Sequence, residues 1–532
     1  MRAADAIALR LYEAGCRTAF GMPGGEVLTL VDALEAVGIR FVLCKHENAA
    51  GFMAEGTWHR TGAPGVLVAT VGPGALNAVN TVANALQDRV PLIVLAGCVD
   101  AAEAQSYTHQ VLDQRAVFAP VTKATFTLDP GAAHLVADKA VGIATQGQPG
   151  PVFIDVPVGV ADAAVPDAVP PRRPDALPVV PSASALAPVA AALSAARRPV
   201  MIAGVDALND GADVAGFAEA FGMPVITSYK AKGMLDEGHA LSLGGAGLSP
   251  LADRTLVPFV QSADLILCAG YDPIEMRPGW RDIWDQAQCQ VIDISAEPNT
   301  HYMHQASVNI VGSVAATLEA LRDAATPGAA AWGDAVAEAK GALAEAFPAD
   351  GDWGPAAVIA EARAACPAGT LATADSGAHR ILLSQMWRCD APRGLMQSSA
   401  LCTMGCAVPL AMGAKLASPD RPVVSFSGDA GMLMVAGELS TAAEEGLACV
   451  FVVFVDASLA LIELKQRQRQ MANNGVDFGT HDFAALGRAM GGRGVDVRSR
   501  AEMRAAMADA LEAETFTVIA AHIDRGAYDG RI

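Results

Sequence analysis

The chain has 532 residues, 52% of them hydrophobic, with 51 glycines and only 5% aromatics. That is too long for one core and suits an α/β protein of about two to four domains, not a disordered or fibrous chain. A formal net charge of −20 argues against nucleic acid or an anionic membrane as partner, so an anionic ligand requires local neutralisation by a metal ion or helix N-termini.

The opening stretch, MRAADAIALRLYEAGCRTAF, reads as an amphipathic helix leading into a strand, without the basic-then-apolar order of a secretion signal. No apolar run reaches the roughly 18 residues of a membrane span. Ten cysteines are scattered without a CxxC pair and read as reduced, buried thiols. A cytoplasmic enzyme or binding protein is the expectation.

Short Val/Ile/Leu-rich runs then alternate with helical periodicity in three blocks. The first holds RFVLC, GVLVATV, PLIVLAG and PVFIDVP; the second PVMIAG, PVITS, LILCAG and QVIDIS; the third TLATA, PVVSFS, CVFVVFVD and FTVIAAHI. Such runs signal parallel sheets covered on both faces, so the expected fold is α/β with three doubly wound parallel-sheet domains. A proline-rich stretch at 161–185 and a softer Pro/Gly-bounded one at 326–354 place the domains at 1–160, 186–325 and 355–532. Ligands of such sheets bind beyond the carboxyl ends of the strands.

Two acidic residues sit at such ends. Asp429 follows VVSFSG, and Asp456 follows VFVVFV 27 positions later. Small neighbours (Gly428, Ala430, Gly431) permit close approach of a ligand, and the helix that follows can meet a phosphate. Carboxylates beside phosphate require a hard cation between them, and Mg²⁺ takes one or two carboxylates plus phosphate oxygens. The alternative for either residue alone is capping of the next turn.

Gly428-Asp429-Ala430 followed by Asp456 resembles the cofactor motif of thiamine-diphosphate enzymes, with Ala430 in place of a second glycine and Val455-Asp456 in place of an Asn pair. The resemblance implies Mg²⁺ held by Asp429, Asp456 and the carbonyl of Ser458. KHENAAGFMAEG…VGPGALN resembles the pyrimidine-binding domain. It implies that Glu47 hydrogen-bonds the aminopyrimidine ring, which then serves as an internal base, with Pro73, Gly74 and Asn77 beside the cofactor. A glutamate at a helix N-terminus is the alternative for Glu47. ADSGAHR resembles a diphosphate loop (Ser376, Gly377, His379), and in SSALCTMGCAVPLAMGAKLA Met404 matches the residue wedged between the cofactor's two rings. The three domains are then pyrimidine-binding, central and diphosphate-binding. Since Glu47 and the phosphate loops lie on different sheets, the resemblance further implies sites shared between subunits of a homodimer or homotetramer.

For the reaction, THQVLDQRAVFAPVTK resembles acetolactate synthases, which place a glutamine at Gln110 facing the substrate; His109 is a proton carrier or a loop residue. The glycine loop GMPGGE, with Gly25, would approach the reaction centre. Lys465 would receive a substrate anion or lie on a solvated helix face. The middle block's CAGYDPIEMRPGW resembles flavin-free acetolactate synthases, and no GxGxxG follows a strand there, so FAD stays an unsupported alternative. The expected activity is Mg²⁺/thiamine-diphosphate-dependent decarboxylation of a small 2-oxo acid with carboligation to a second carbonyl. The alternatives are a relative with another acceptor (a simple decarboxylase, a sulfoacetaldehyde acetyltransferase type or a C–C lyase) and a non-catalytic cofactor-binding relative.

Overall fold

The computed structural model describes residues 1–166, 169, 172, 174 and 176–532. Strands β1 (Thr18–Met22), β2 (Arg40–Leu43), β3 (Gly65–Ala69), β4 (Leu92–Cys98), β5 (Ala124–Thr127) and β6 (Val152–Pro157) form the first sheet. The second holds β7 (Pro199–Ala203), β8 (Val225–Ser228), β9 (Ser242–Ala246), β10 (Leu265–Ala269), β11 (Gln290–Ser295) and β12 (Val308–Val311). The third holds β13 (Leu371–Ala374), β14 (Leu395–Gln397), β15 (Val423–Gly428), β16 (Val450–Val455), β17 (Arg493–Val497) and β18 (Thr517–His522). Every pairing between these strands is parallel. The molecule is therefore an α/β protein of three parallel six-stranded sheets flanked by helices.

The first and third sheets share one strand order, β2-β1-β3-β4-β6-β5 and β14-β13-β15-β16-β18-β17, whereas the middle one runs β12-β11-β10-β7-β8-β9. The middle order is that of a dinucleotide-binding sheet, but fold alone does not carry function. Strands missing from the sequence reading (β5, β9, β12, β14 and β17) are all edges. An edge strand has one neighbour and thinner cover, so its apolar run breaks up: β16 is buried throughout, whereas β12 and β17 alternate with exposed positions. The expected connection at 161–185 lies partly outside the described residues, and its ends are helical, in Val158–Asp162 and Ala183–Ala195. The softer break at 326–354 contains the helix Ala335–Ala346. Among the described residues no helix is long and apolar enough to cross a membrane.

The first and third sheets meet through two helices, Glu47–Thr61 and Ala407–Ala417. Each carries a glycine at the crossing. A Cβ on Gly56 would strike the carbonyl oxygen of Leu410, and one on Gly413 that of Met53. The two backbones thus touch where any side chain would hold them apart.

All three sheets converge on one buried cation. Lys230, in the turn after β8, is 3% exposed. Its Nζ donates to Asp88 Oδ2 at 2.7 Å and Glu55 Oε1 at 3.1 Å, both from the first domain. Asp88 also accepts the backbone N–H groups of Ser399 and Ala400, each at 2.9 Å, from the third. Burial alone would lower the Lys230 pKa; Asp88 and Glu55 more than offset it and hold the ammonium above its ordinary value. Replacing Lys230 by Met leaves two carboxylates buried without their cation and should cost about 3–5 kcal/mol. The expected readout is a clearly lowered apparent melting temperature; an unchanged melt would show that the junction does not hold the domains together.

Candidate active site

A cavity of about 220 Å³ opens at the carboxyl ends of β13, β15 and β16. Asp429 is the first residue of the short helix that β15 runs into, 3% exposed. Its Oδ1 accepts the N–H of Ala430 at 2.8 Å, and its Oδ2 those of Ala457 at 2.8 Å and Asp456 at 3.2 Å. Asp429 thereby both ties down the first turn of its own helix and fixes the turn after β16, in which Ala457 adopts a left-handed φ of 55°. Asp456, half-buried, accepts the N–H of Ser458 on Oδ1 at 3.1 Å. Burial, and then the charge of Asp429, push the Asp456 carboxyl up to about 7; burial also raises Asp429, against its backbone hydrogen bonds. Both carboxylates and Ser458 line this cavity with Gly428, Ala430 and Gly431. Ala430 lies in the helix with φ negative, so its methyl group meets no backbone objection.

The opposite wall is the loop after β13. Asp375, fully buried, accepts N–H groups from Ser376 at 2.9 Å, Gly405 at 3.0 Å and Cys406 at 3.2 Å, and so ties the loop to the segment carrying Met404. Its carboxyl is pushed to about 6 by burial, against those bonds. Ser376, Gly377 and His379 line the cavity. A Cβ on Gly377 would lie 2.7 Å from Cε1 of His379, so glycine lets the ring fold against its own loop. Burial, then Arg380, lower the His379 pKa to about 3. The imidazole is neutral; a hydrogen bond to the Asp375 backbone takes its one ring N–H and leaves Nε2 as an acceptor. Ser376 Oγ and His379 Nε2 are buried without a hydrogen-bond partner among the described residues.

Met404 is half-buried between this cavity and another of about 360 Å³ reached by His46, Asn48 and Asn80. Glu47, 4% exposed at the start of its helix, accepts from Asn77 Nδ2 at 3.0 Å on Oε2. A Cβ on Gly74 would lie 3.1 Å from its Oε1. Pro73, Gly74 and Asn77 belong to one short helix entered through Gly72, whose φ of 69° suits glycine. Within one chain, however, Glu47 does not line the cavity of Asp429 and Asp456.

The remaining candidates are scattered. Gln110, exposed with φ 58°, lies over Gly72 and borders a separate cavity of about 280 Å³. His109 is exposed beside Tyr107. Gly25 is exposed at the start of a 3₁₀ turn, and Lys465 is exposed on the helix Ala460–Gln468, outside the cavity lining. Three residues of the site escaped the sequence reading. Asp375 ends a strand and the strand-end rule applied to it; Glu463 is buried, accepting from Ser458 Oγ at 2.7 Å and Arg525 Nε at 3.0 Å; Tyr528 joins the cavity wall from the C-terminal segment, for which no local pattern prepares.

Comparison with known proteins agrees with this geometry. The "Thiamine pyrophosphate enzyme, N-terminal TPP binding domain" family matches residues 1–117, the corresponding central domain 186–321 and the C-terminal TPP binding domain 375–521. The chain is 29% identical to an acetolactate synthase of Bacillus subtilis over 98% of its own length and 93% of the relative's. It is 32% identical to the acetolactate synthase large subunit of Parasynechococcus marenigrum over 96% and 86%, and 31% identical to a probable 2-ketoarginine decarboxylase of Pseudomonas aeruginosa over 92% and 88%. With two strand-end carboxylates, a loop of unpartnered polar atoms and these three matched domains in order, the chain belongs to the thiamine pyrophosphate enzyme family as an acetolactate synthase-like member.

Proposed function

We propose that this protein decarboxylates a small 2-oxo acid such as pyruvate and joins the remaining acyl unit to a second carbonyl, using thiamine diphosphate and Mg²⁺. The observation that carries the reading is the pairing of Asp429 and Asp456 across from Ser376 and His379: acidic oxygens in want of a cation face a buried hydroxyl and a ring nitrogen that both lack partners among the described residues. A diphosphate with Mg²⁺ satisfies both. When bound, thiamine diphosphate supplies the electron sink for the charge left on the substrate's carbonyl carbon as CO₂ departs.

The chain's own residues then have distinct tasks. Asp429, Asp456 and the Ser458 carbonyl hold Mg²⁺, while Ser376, Gly377 and the neutral His379 ring serve the diphosphate with Gly428, Ala430 and Gly431. Met404 supports the bend between the cofactor's rings. Glu47, steadied by Asn77 and flanked by Pro73 and Gly74, holds a proton at the pyrimidine ring. Gly25, His109, Gln110 and Lys465 are assigned to the substrate side, and all four are exposed in the single chain. Because Glu47 and Asp429 do not share a cavity within one chain, the active unit is a homodimer or homotetramer. In it the strand ends of one copy's first sheet face those of another copy's third. Similarity to the probable 2-ketoarginine decarboxylase supports a second reading, in which a proton is the acceptor.

Protein incubated with pyruvate, Mg²⁺ and thiamine diphosphate should release CO₂ and form acetolactate; release of CO₂ with acetaldehyde alone selects the decarboxylase, and no turnover of any 2-oxo acid in a panel refutes both. Glu47→Gln should lower turnover by at least about 10²–10⁴-fold while cofactor affinity changes little; wild-type turnover in that variant would remove Glu47 from the mechanism.

Asp456 gives a pH signature. Its carboxyl is raised, so the ligand-free protein holds an extra proton relative to the unfolded chain between the ordinary carboxylate pKa and about 7, and stability from this group falls as pH rises through that window. The same proton competes with the cation, so Mg²⁺-dependent cofactor affinity should fall about tenfold per pH unit below 7 and level off above it. Titration at several pH values checks this; Asp456→Asn should flatten the dependence, and an unchanged slope would dismiss Asp456 as a ligand.

A further inference from the structure

A second cluster of metal-binding side chains lies in the middle domain, away from both cofactor-binding sheets. Cys268 on β10 and Asp293 on β11 are register partners across parallel neighbours. His304, from the loop between β11 and β12, reaches the pair: its Nε2 lies 3.0 Å from Asp293 Oδ2. The amide of Asn299, from the same loop, lies 3.3 Å from each of those two atoms. Ligand atoms of Cys268, Asp293 and His304 all fall within 4.8 Å of one another. The three residues are 0%, 2% and 2% exposed.

The two 3.3 Å spacings from Asn299 are those of ligands around one ion, and the 3.0 Å hydrogen bond between Asp293 and His304 needs to open by only a few tenths of an ångström when an ion replaces the proton. Oxygen and nitrogen donors about 2.0–2.2 Å from a tetrahedral Zn²⁺ stand about 3.3–3.5 Å apart, and a sulfur donor slightly farther. A half-turn of the Asn299 amide exchanges its nitrogen for its oxygen at the same position and makes it a fourth donor. The Asp293–His304 hydrogen bond already holds together Oδ2 and Nε2, the atoms an ion would take, while Oδ1 and Nδ1 are buried without a partner among the described residues. Asp293 and Asn299 also line a cavity of about 170 Å³ at the junction with the first domain, which provides an entry path.

We propose that Cys268, Asp293, His304 and Asn299 form a binding site for a divalent ion of the zinc class. A thiolate and an imidazole favour such an ion over Mg²⁺ or Ca²⁺. On binding, the metal–sulfur bond forms as the S–H bond of Cys268 breaks, and the proton leaves to solvent through the cavity. The proton that His304 Nε2 shares with Asp293 Oδ2 is given up as the ion binds and Nδ1 keeps or takes the ring's one proton, so that Nε2 offers its lone pair; no change of oxidation state is involved. The ion clamps the 296–306 loop to the ends of β10 and β11. This site is independent of the Mg²⁺ proposed at Asp429 and Asp456, which has oxygen donors only.

The test is titration of chelator-treated, full-length protein with Co²⁺. A near-ultraviolet thiolate-to-cobalt charge-transfer band should grow to saturation at one ion per chain and disappear on addition of Zn²⁺. Oxygen ligands cannot produce that band, so it reports on this site whatever the fate of the catalytic reading. Cys268→Ser, which keeps the side chain's size, should lose the band at unchanged circular dichroism; should it misfold, His304→Gln serves the same end. Absence of the band from the wild-type protein, or its persistence in a folded Cys268→Ser variant, overturns the proposal. Persistence would assign it to another thiol such as the exposed Cys402.

Discussion

The ammonium of Lys230 is the point on which the arrangement of domains depends. A buried charge is tolerated only with partners in place, and here the partners come from elsewhere in the chain: Glu55 and Asp88 from the first domain, with the Ser399 and Ala400 amides completing the coordination of Asp88 from the third. Each domain holds a part of the network that is unfavourable alone. Apolar burial brings the sheets together without fixing their angle; the directed bonds of this junction select one angle. The glycine contact between Gly56 and Gly413 then sets how closely the helices approach.

That arrangement determines what a single chain can present. Helix Glu47–Thr61 carries Glu47 at one end and Glu55 and Gly56 further along, so the packing that joins the domains also positions the catalytic candidate. Its partner, Ala407–Ala417, begins just beyond Met404 and Cys406, beneath the cavity of Asp429 and Asp456. One interface therefore orients Glu47 and the cavity of Asp429 and Asp456 without merging them. The proposed assembly of two copies supplies the missing half.

Within the cavity, electrostatics is left unresolved by the protein itself. Asp429 is tied down by three backbone N–H groups, whereas Asp456 bears both burial and the repulsion of its neighbour. His379 is kept neutral, so the loop offers hydrogen bonds without adding positive charge. In a chain of net charge −20, the proposed reading leaves neutralisation of a diphosphate to a metal ion and to backbone dipoles. This agrees with the absence of any lysine or arginine among the residues lining the cavity.

Much of this was legible in the sequence, and the reason is local. Central strands such as β15 and β16 are covered on both faces, so each is a continuous apolar run whose end is marked by the first charge, and Asp429 and Asp456 announce themselves. Edge strands such as β12 and β17 lack that cover, and their broken patterns hide them. Glu463 and Tyr528 acquire meaning only through contacts with Ser458 and the cavity wall that no spacing encodes. The Lys230 junction and the Cys268–Asp293–His304 cluster are likewise products of packing: their members lie on separate elements, and burial, not proximity along the chain, gives them partners. Sequence by itself determined the parallel α/β class, the strand-end carboxylates and the order of the domains. Tertiary structure alone decided which side chains meet and which cavity each borders, because hydrogen bonds and ion pairs act over ångströms between residues separated by tens to hundreds of positions.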